Sequence, residues 1–371
     1  MILPSIAAAM DAPRVQPVQV DASRPDWENP AVFARGKLPA RATGFAFESR
    51  ARALAGHRTQ SSRFVSLNGE WKFSFSPDAD HLPNGFERPD YDVSSWKSIK
   101  VPADWQAEGY DQPRYNNITY PFPANRPLIP HATNPVGSYR RDLQLPAGWA
   151  GQDVILHIGA AGSAYRVWVN GQQAGYSEDS KLPSEFDITR LARPGRNTLA
   201  IQIFRWSDGS YLEDQDFWRV SGIEREVFVM GVPKTRVRDF FVHAGLDATQ
   251  RRGTLNVDVA VTPGPATKAT VTVLDGDREI LTRSVPVAAG DAERTVTLTG
   301  TVADVRPWTA ETPNLYTLLV ELTDAKGGVV QSTPARIGFR NVAIKKGLVT
   351  VNGAPITVRG VNRHEHDPET F

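Results

Sequence analysis

From Phe64 onward, apolar and polar residues alternate with the period of two that marks β-strands. Trp71, Phe73 and Phe75 share one face of an extended segment, because successive strand side chains point to opposite sides. Asn68-Gly69 separates Val65-Ser66-Leu67 from that segment and predicts a hairpin turn there, since Asn and Gly tolerate the positive φ of a two-residue turn. The same dipeptide recurs at Asn170-Gly171, after Tyr165, Val167 and Val169 on one face and Trp168 on the other. Further strands are predicted over 152–158 and 197–204. With Gly, Pro and Asn punctuation between them, these segments predict a sandwich or jelly roll over 61–233.

A second all-β unit is predicted over 234–340. Leu255, Val257, Val259 and Val261 alternate with Asn256, Asp258 and Ala260, and Val271-Thr272-Val273-Leu274 runs into the turn Asp275-Gly276-Asp277. Val296 and Leu298, then the run Tyr316 to Leu322, bring the count to about seven short strands in ~100 residues, the pattern of an immunoglobulin-like sandwich. Another Asn-Gly hairpin, around Asn352-Gly353, opens a third unit over 341–371. Residues 1–60 show neither period and read as an irregular arm, ordered only by docking. Trp27, within Asp26-Trp27-Glu28-Asn29-Pro30, favours a docked arm, because an indole left in water costs free energy.

Composition narrows the classes of function. Forty-two Lys and Arg against 41 Asp and Glu leave a net charge of +1, which argues against a nucleic-acid partner. No apolar run approaches the ~20 residues of a membrane-spanning helix. The absence of cysteine excludes disulfides and thiolate metal sites, and fits a reducing, cytoplasmic setting. The apolar patch Met1–Ala12 ends in small residues but lacks a basic leader. A signal-peptide remnant and a periplasmic location therefore stay open as the alternative.

Candidate chemistry concentrates in 205–219. Asp208, Glu213, Asp214 and Asp216 stand among Trp206, Tyr211 and Trp218. Carboxylates accept hydrogen bonds from hydroxyls and flat rings stack on C–H faces, so this mixture suits a sugar-binding surface. The plain alternative is an acidic strand-end loop pinned by aromatics. Glu213 and Asp214 are read as bracing the loop, and Trp206 and Trp218 as burying against the sandwich.

The chain closes with Val358-Arg359-Gly360-Val361-Asn362-Arg363-His364-Glu365-His366-Asp367-Pro368. Together with the 205–219 run, this resembles the large bacterial β-galactosidases of glycoside hydrolase family 2. The likeness extends through Asp26-Trp27-Glu28-Asn29-Pro30, Ser66-Leu67-Asn68-Gly69-Glu70-Trp71, Tyr115-Asn116-Asn117-Ile118-Thr119-Tyr120-Pro121, Lys181-Leu182-Pro183-Ser184-Glu185-Phe186-Asp187 and Pro313-Asn314-Leu315-Tyr316. The resemblance implies an all-β chain: a jelly-roll sugar-binding domain, an immunoglobulin-like sandwich, and the truncated start of a (β/α)8 barrel. It implies retaining hydrolysis of terminal β-D-galactosides such as lactose.

In such enzymes both catalytic glutamates lie on later barrel strands, so no catalytic residue is expected here and the chain alone is expected to be inactive. Glu365 is read as a salt-bridged or hydrogen-bonded barrel residue. The resemblance makes Asn117, Asp216 and His364 substrate-binding, and makes Asp216 one ligand of a partial sodium site. Sodium and magnesium are the implied ions, with neither site complete in this chain. A homo-oligomer, a tetramer at full length, is implied, with the N-terminal segment contributing to assembly.

The residues themselves leave other readings open. Asn117-Ile118-Thr119 is formally a glycosylation sequon. His364 and His366 share a face on an extended chain and form a possible metal pair, although the H-E-x-x-H pattern fails at Pro368. A histidine satisfied by backbone groups at a strand end is the plain alternative for His364. For the chain as a whole, the alternatives are a non-catalytic carbohydrate-binding module and a complementing fragment that drives assembly.

Overall fold

Two sandwiches joined by an N-terminal arm make up the computed structural model, which describes residues 21–116, 118–213, 216–362, 367 and 369. In the first, a seven-stranded antiparallel sheet runs in the order Ala34–Arg35, Gln172–Ser177, Ala164–Val169, Gly195–Phe204, Val136–Leu145, Gly69–Ser76 and Lys97–Val101. A four-stranded sheet of Ser184–Asp187, Asp153–Ile158, Val227–Val232 and Phe64–Ser66 faces it. Trp71, Phe73, Tyr139, Val167, Ile201, Leu156 and Val229 fill the space between them. The inward period-two positions meet across strands, with Tyr165 opposite Ile203 and Val167 opposite Ile201.

One predicted hairpin is not formed. Asn170-Gly171 turns with φ of 52° and 82°, as a two-residue type I′ hairpin requires, and joins paired strands. At Asn68-Gly69 only the glycine takes a positive φ, of 115°. The strands on either side go to different sheets, Phe64–Ser66 beside Val227–Val232 and Gly69–Ser76 beside Val136–Leu145. The Asn68 side chain explains the difference: its Oδ1 accepts from Val227 N at 2.9 Å and ties this crossover to the second sheet.

The second sandwich has three strands (Val237–Leu246, Gly253–Val261, Arg294–Val302) packed on four (Arg278–Val287, Thr267–Asp275, Tyr316–Thr323, Val329–Ile337). Leu255, Val257, Val259 and Val261 meet Val271, Val273, Leu318 and Val320 in a core without charge. Beyond it, Val342–Lys345, Leu348–Val351 and Ala354–Pro355 form a small separate sheet with Ile344 and Leu348 exposed.

The arm is docked along both sandwiches. Trp27 is buried, stacked on Phe204 at 5.1 Å and beside His131 at 4.7 Å. Ala34–Arg35 extends the seven-stranded sheet at its edge. Phe45 and Phe47 are buried with Phe228 and Leu319, and so bridge the two sandwiches. A short helix, Arg50–Ala55, starts where Ser49 Oγ accepts from Arg52 N and stops at Gly56 with φ of 72°. No helix among the described residues is long and apolar enough to cross a membrane.

Candidate functional site

The 205–219 loop leaves the end of the long strand Gly195–Phe204 and is fixed from beneath by buried charge. Arg205, 1% exposed, pairs with Asp111 and donates Nη2 to the carbonyls of Gln112 at 3.0 Å and Arg219 at 2.9 Å. Burial lowers its pKa to about 10, which leaves it charged at neutral pH. Arg219 donates to the carbonyls of Glu213 at 3.0 Å and Asn116 at 3.1 Å. The two guanidiniums thereby staple the 111–116 segment to the loop.

Aromatic and polar anchors complete the support. Trp206 is buried, and its backbone N and O bond both ends of the Asn134 side-chain amide at 2.8 and 2.9 Å. Tyr211 donates to Leu128 O at 2.7 Å. Glu213 braces the loop by accepting from Ser180 N at 2.7 Å and Ser180 Oγ at 2.5 Å.

Beneath the loop, Glu178 and Asp208 are buried together, with Tyr176 donating to Glu178. Burial raises the pKa of both carboxyls, and the Asp208 charge pushes Glu178 further in the same direction. Glu28 of the arm approaches the same region, accepting from Ile129 N at 2.8 Å and pairing with His131 at 3.3 Å.

A cavity of about 520 Å³ opens beside the loop. Phe217, Trp206 and Pro121 give it an apolar wall, and Lys181, Glu213 and Glu224 a charged one. The Phe217 ring carries Lys181 Nζ at 5.4 Å and the Arg219 guanidinium at 5.0 Å from its centroid. Lys181 in turn pairs with Glu224. Close by, burial and then the Glu224 charge push the Asp104 carboxyl up to about 7.

Of the three residues expected to bind substrate, Asp216 is described and is held: Tyr115 donates its hydroxyl to Asp216 Oδ1. That bond raises the pKa of Tyr115. Asn117, Asp214, His364, Glu365 and His366 lie outside the described residues. Among the described residues, no group of three or more His, Cys, Asp or Glu side chains is placed to hold a metal ion. Asp216 offers the hard oxygen donor that sodium prefers, but those residues do not close a site around it. Sequence reasoning missed Tyr115, Arg205 and Arg219 as parts of this assembly. Tyr115 stands in a motif that was recognised, while its contact with Asp216 spans 101 positions.

Known proteins match this architecture. The family model described as "Glycosyl hydrolases family 2, sugar binding domain" matches residues 64–233, and that described as "Glycosyl hydrolases family 2" matches 235–340. A β-galactosidase of Priestia megaterium is 38% identical over 364 residues, covering 92% of this chain and 34% of its own length. One of Photobacterium profundum is 38% identical over 353 residues, covering 93% and 34%. The chain thus spans about a third of the length of the curated relatives it matches. Among solved structures, a Bacteroides uniformis β-glucuronidase superposes with a TM-score of 0.67 at 22% identity, over 83% of this chain and 36% of the other. A Ruminococcus gnavus β-glucuronidase superposes with a TM-score of 0.62 at 22% identity, over 81% and 50%. These likenesses at low identity concern the fold. With both domain models matched in order and β-galactosidases aligned along nearly its whole length, the chain belongs to glycoside hydrolase family 2.

Proposed function

We propose that this chain is the N-terminal part of a retaining β-galactosidase acting on terminal β-D-galactosides such as lactose. Its contribution to the site is the 205–219 loop, with Asp216, Asn117 and His364 bonding sugar hydroxyls. The observation that carries the reading is a carboxylate held by Tyr115 beside an aromatic-lined cavity, in a chain 38% identical to β-galactosidases over 92% of its length. Retaining hydrolysis needs two carboxyl groups about 5–5.5 Å apart. In this reading both are glutamates supplied by a barrel outside these 371 residues. Asp216 supplies one oxygen to a sodium ion, and no step of the chemistry is assigned to this chain. The docked arm supports a further role for residues 1–60 in a homo-oligomer of the full-length protein.

Hydrolysis of aryl β-galactosides and aryl β-glucuronides by the full-length protein tests the reading. The galactoside is expected to be strongly preferred, and equal or reversed preference would sink it. The isolated 1–371 chain is expected to fold and to turn over neither substrate.

A further inference from the structure

We propose that Tyr115 is the positioning residue for Asp216, its phenol fixing the orientation in which that carboxylate meets the sugar. The inference rests on the reading of Asp216 given above. Arg114–Tyr115 pairs antiparallel with Trp218–Arg219, placing Tyr115 directly opposite Trp218. Asp216 lies two residues before Trp218, in the bend that leads into this two-residue strand, and there it accepts the Tyr115 hydroxyl. The Tyr115 and Trp218 rings meet edge-on with centroids 5.7 Å apart. Arg219 holds the carbonyls of Asn116 and Glu213, which flank the two partners. The strand pairing and the Asn116 contact set the backbone beside Tyr115, so part of the entropy cost of the hydrogen bond is met by the fold.

Tyr115 is 47% exposed, so filling a core does not explain an aromatic ring at this position. A carboxylate has two oxygens with about four acceptor positions. A donor that engages Oδ1 selects the carboxylate plane and aims the remaining positions. Without it, the orientation that the Tyr115 hydroxyl selects is no longer favoured, and productive alignment with the sugar is weakened.

A double-mutant cycle in the full-length protein tests this, with kcat and KM for an aryl β-galactoside read separately. Tyr115→Phe keeps the ring and its contact with Trp218, and its melting temperature checks that the ribbon folds. The variant is expected to lose about 10- to 100-fold in kcat/KM, the scale for removing a hydrogen bond to a charged group. The loss should fall in the same parameter as that of Asp216→Ala. The double variant should be no worse than Asp216→Ala within about threefold, because contacting residues acting as one unit are not additive. Losses that multiply, or a Tyr115→Phe variant as active as the parent beside an impaired Asp216→Ala, would overturn the role of Tyr115 alone. A fully active Asp216→Ala would overturn the reading of Asp216 and this inference with it. Should Tyr115→Phe fold poorly, 4-fluorophenylalanine at 115 replaces it. It keeps the ring and the bulk at the para position but has no proton to donate, so the same loss of about 10- to 100-fold is expected, and parental activity would contradict the proposal.

Discussion

In the immunoglobulin-like sandwich, Glu321 is the one buried charged side chain among the described residues, and it meets Ser332 and Arg50. In the jelly roll, Asp104, Arg140, Glu178, Arg205, Asp208 and Arg219 are all buried, and most of them lie around the 205–219 loop. Both units are sandwiches with apolar centres, so the difference is not a consequence of architecture. Taking charges out of water costs several kcal/mol each unless partners compensate, and apolar residues of the same volume are often as stable or better. Such groups gathered at one loop indicate that the jelly roll is built there to hold a conformation, while the second sandwich is built to be stable. In the proposed reading, the same contrast separates the fold that carries the site from the one that supports it.

Breaking the buried charge should have the largest effect. Arg205→Met strands Asp111 and two carbonyls, and is expected to destabilise the jelly roll by about 3–5 kcal/mol. Urea denaturation followed by tryptophan fluorescence reports this unit selectively, because Trp308 is the only tryptophan beyond residue 233. A cost below about 1 kcal/mol would mean the staple is ornamental. Next, Leu318→Ala, at a fully buried position, should cost the second sandwich about 2–4 kcal/mol by opening a cavity. It should leave kcat/KM of the full-length protein within about twofold, and a large kinetic loss would erase the distinction between the two units.

The pH dependence should also divide them. Asp104 holds its proton up to about pH 7 when folded, whereas an unfolded aspartate releases it near 3.8. Between those values the native state binds more protons than the unfolded chain, so stability must fall as pH rises through the window. Asp104→Asn should remove its share of that decline, on the order of 4 kcal/mol, and Glu178→Gln should flatten the curve further in the same sense. A denaturation series from pH 4 to 8 checks both, and a parent protein whose stability does not fall over that range would refute the assignment. The smallest effect is expected at Arg238, which pairs with Glu293 on the surface of the second sandwich. Arg238→Ala should change stability by less than about 1 kcal/mol and become indistinguishable from the parent in high salt.

What could be read from the sequence was the apolar alternation. Leu255, Val257, Val259 and Val261 are buried as their spacing requires, and Trp71 and Phe73 line the first core. Local signals failed where a distant partner decides. Asn68-Gly69 and Asn170-Gly171 are the same dipeptide, yet Val227 recruits the Asn68 side chain and converts a hairpin signal into a crossover between sheets. The arm carries no period because its order comes from what it touches, as Trp27 on Phe204 and Phe47 beside Ser332 illustrate. At the site, the acidic and aromatic character of 205–219 was visible in the residues, and the bracing role of Glu213 with it. Residues that fix the loop were not, because Arg205 with Asp111 and Tyr115 with Asp216 meet across sequence separations of 94 and 101.

The most direct test compares two carboxylates, one from each sandwich. Asp216 belongs to the loop, while Asp258 accepts from Thr297 on the second sandwich at 2.6 Å. In the full-length protein, kcat/KM for an aryl β-galactoside is measured for Asp216→Asn and Asp258→Asn. The account predicts a loss of about 100-fold or more for Asp216→Asn, the scale for a polar group that stabilises a transition state, and a change within about twofold for Asp258→Asn. Equal effects of the two substitutions, or full activity in Asp216→Asn, would contradict it.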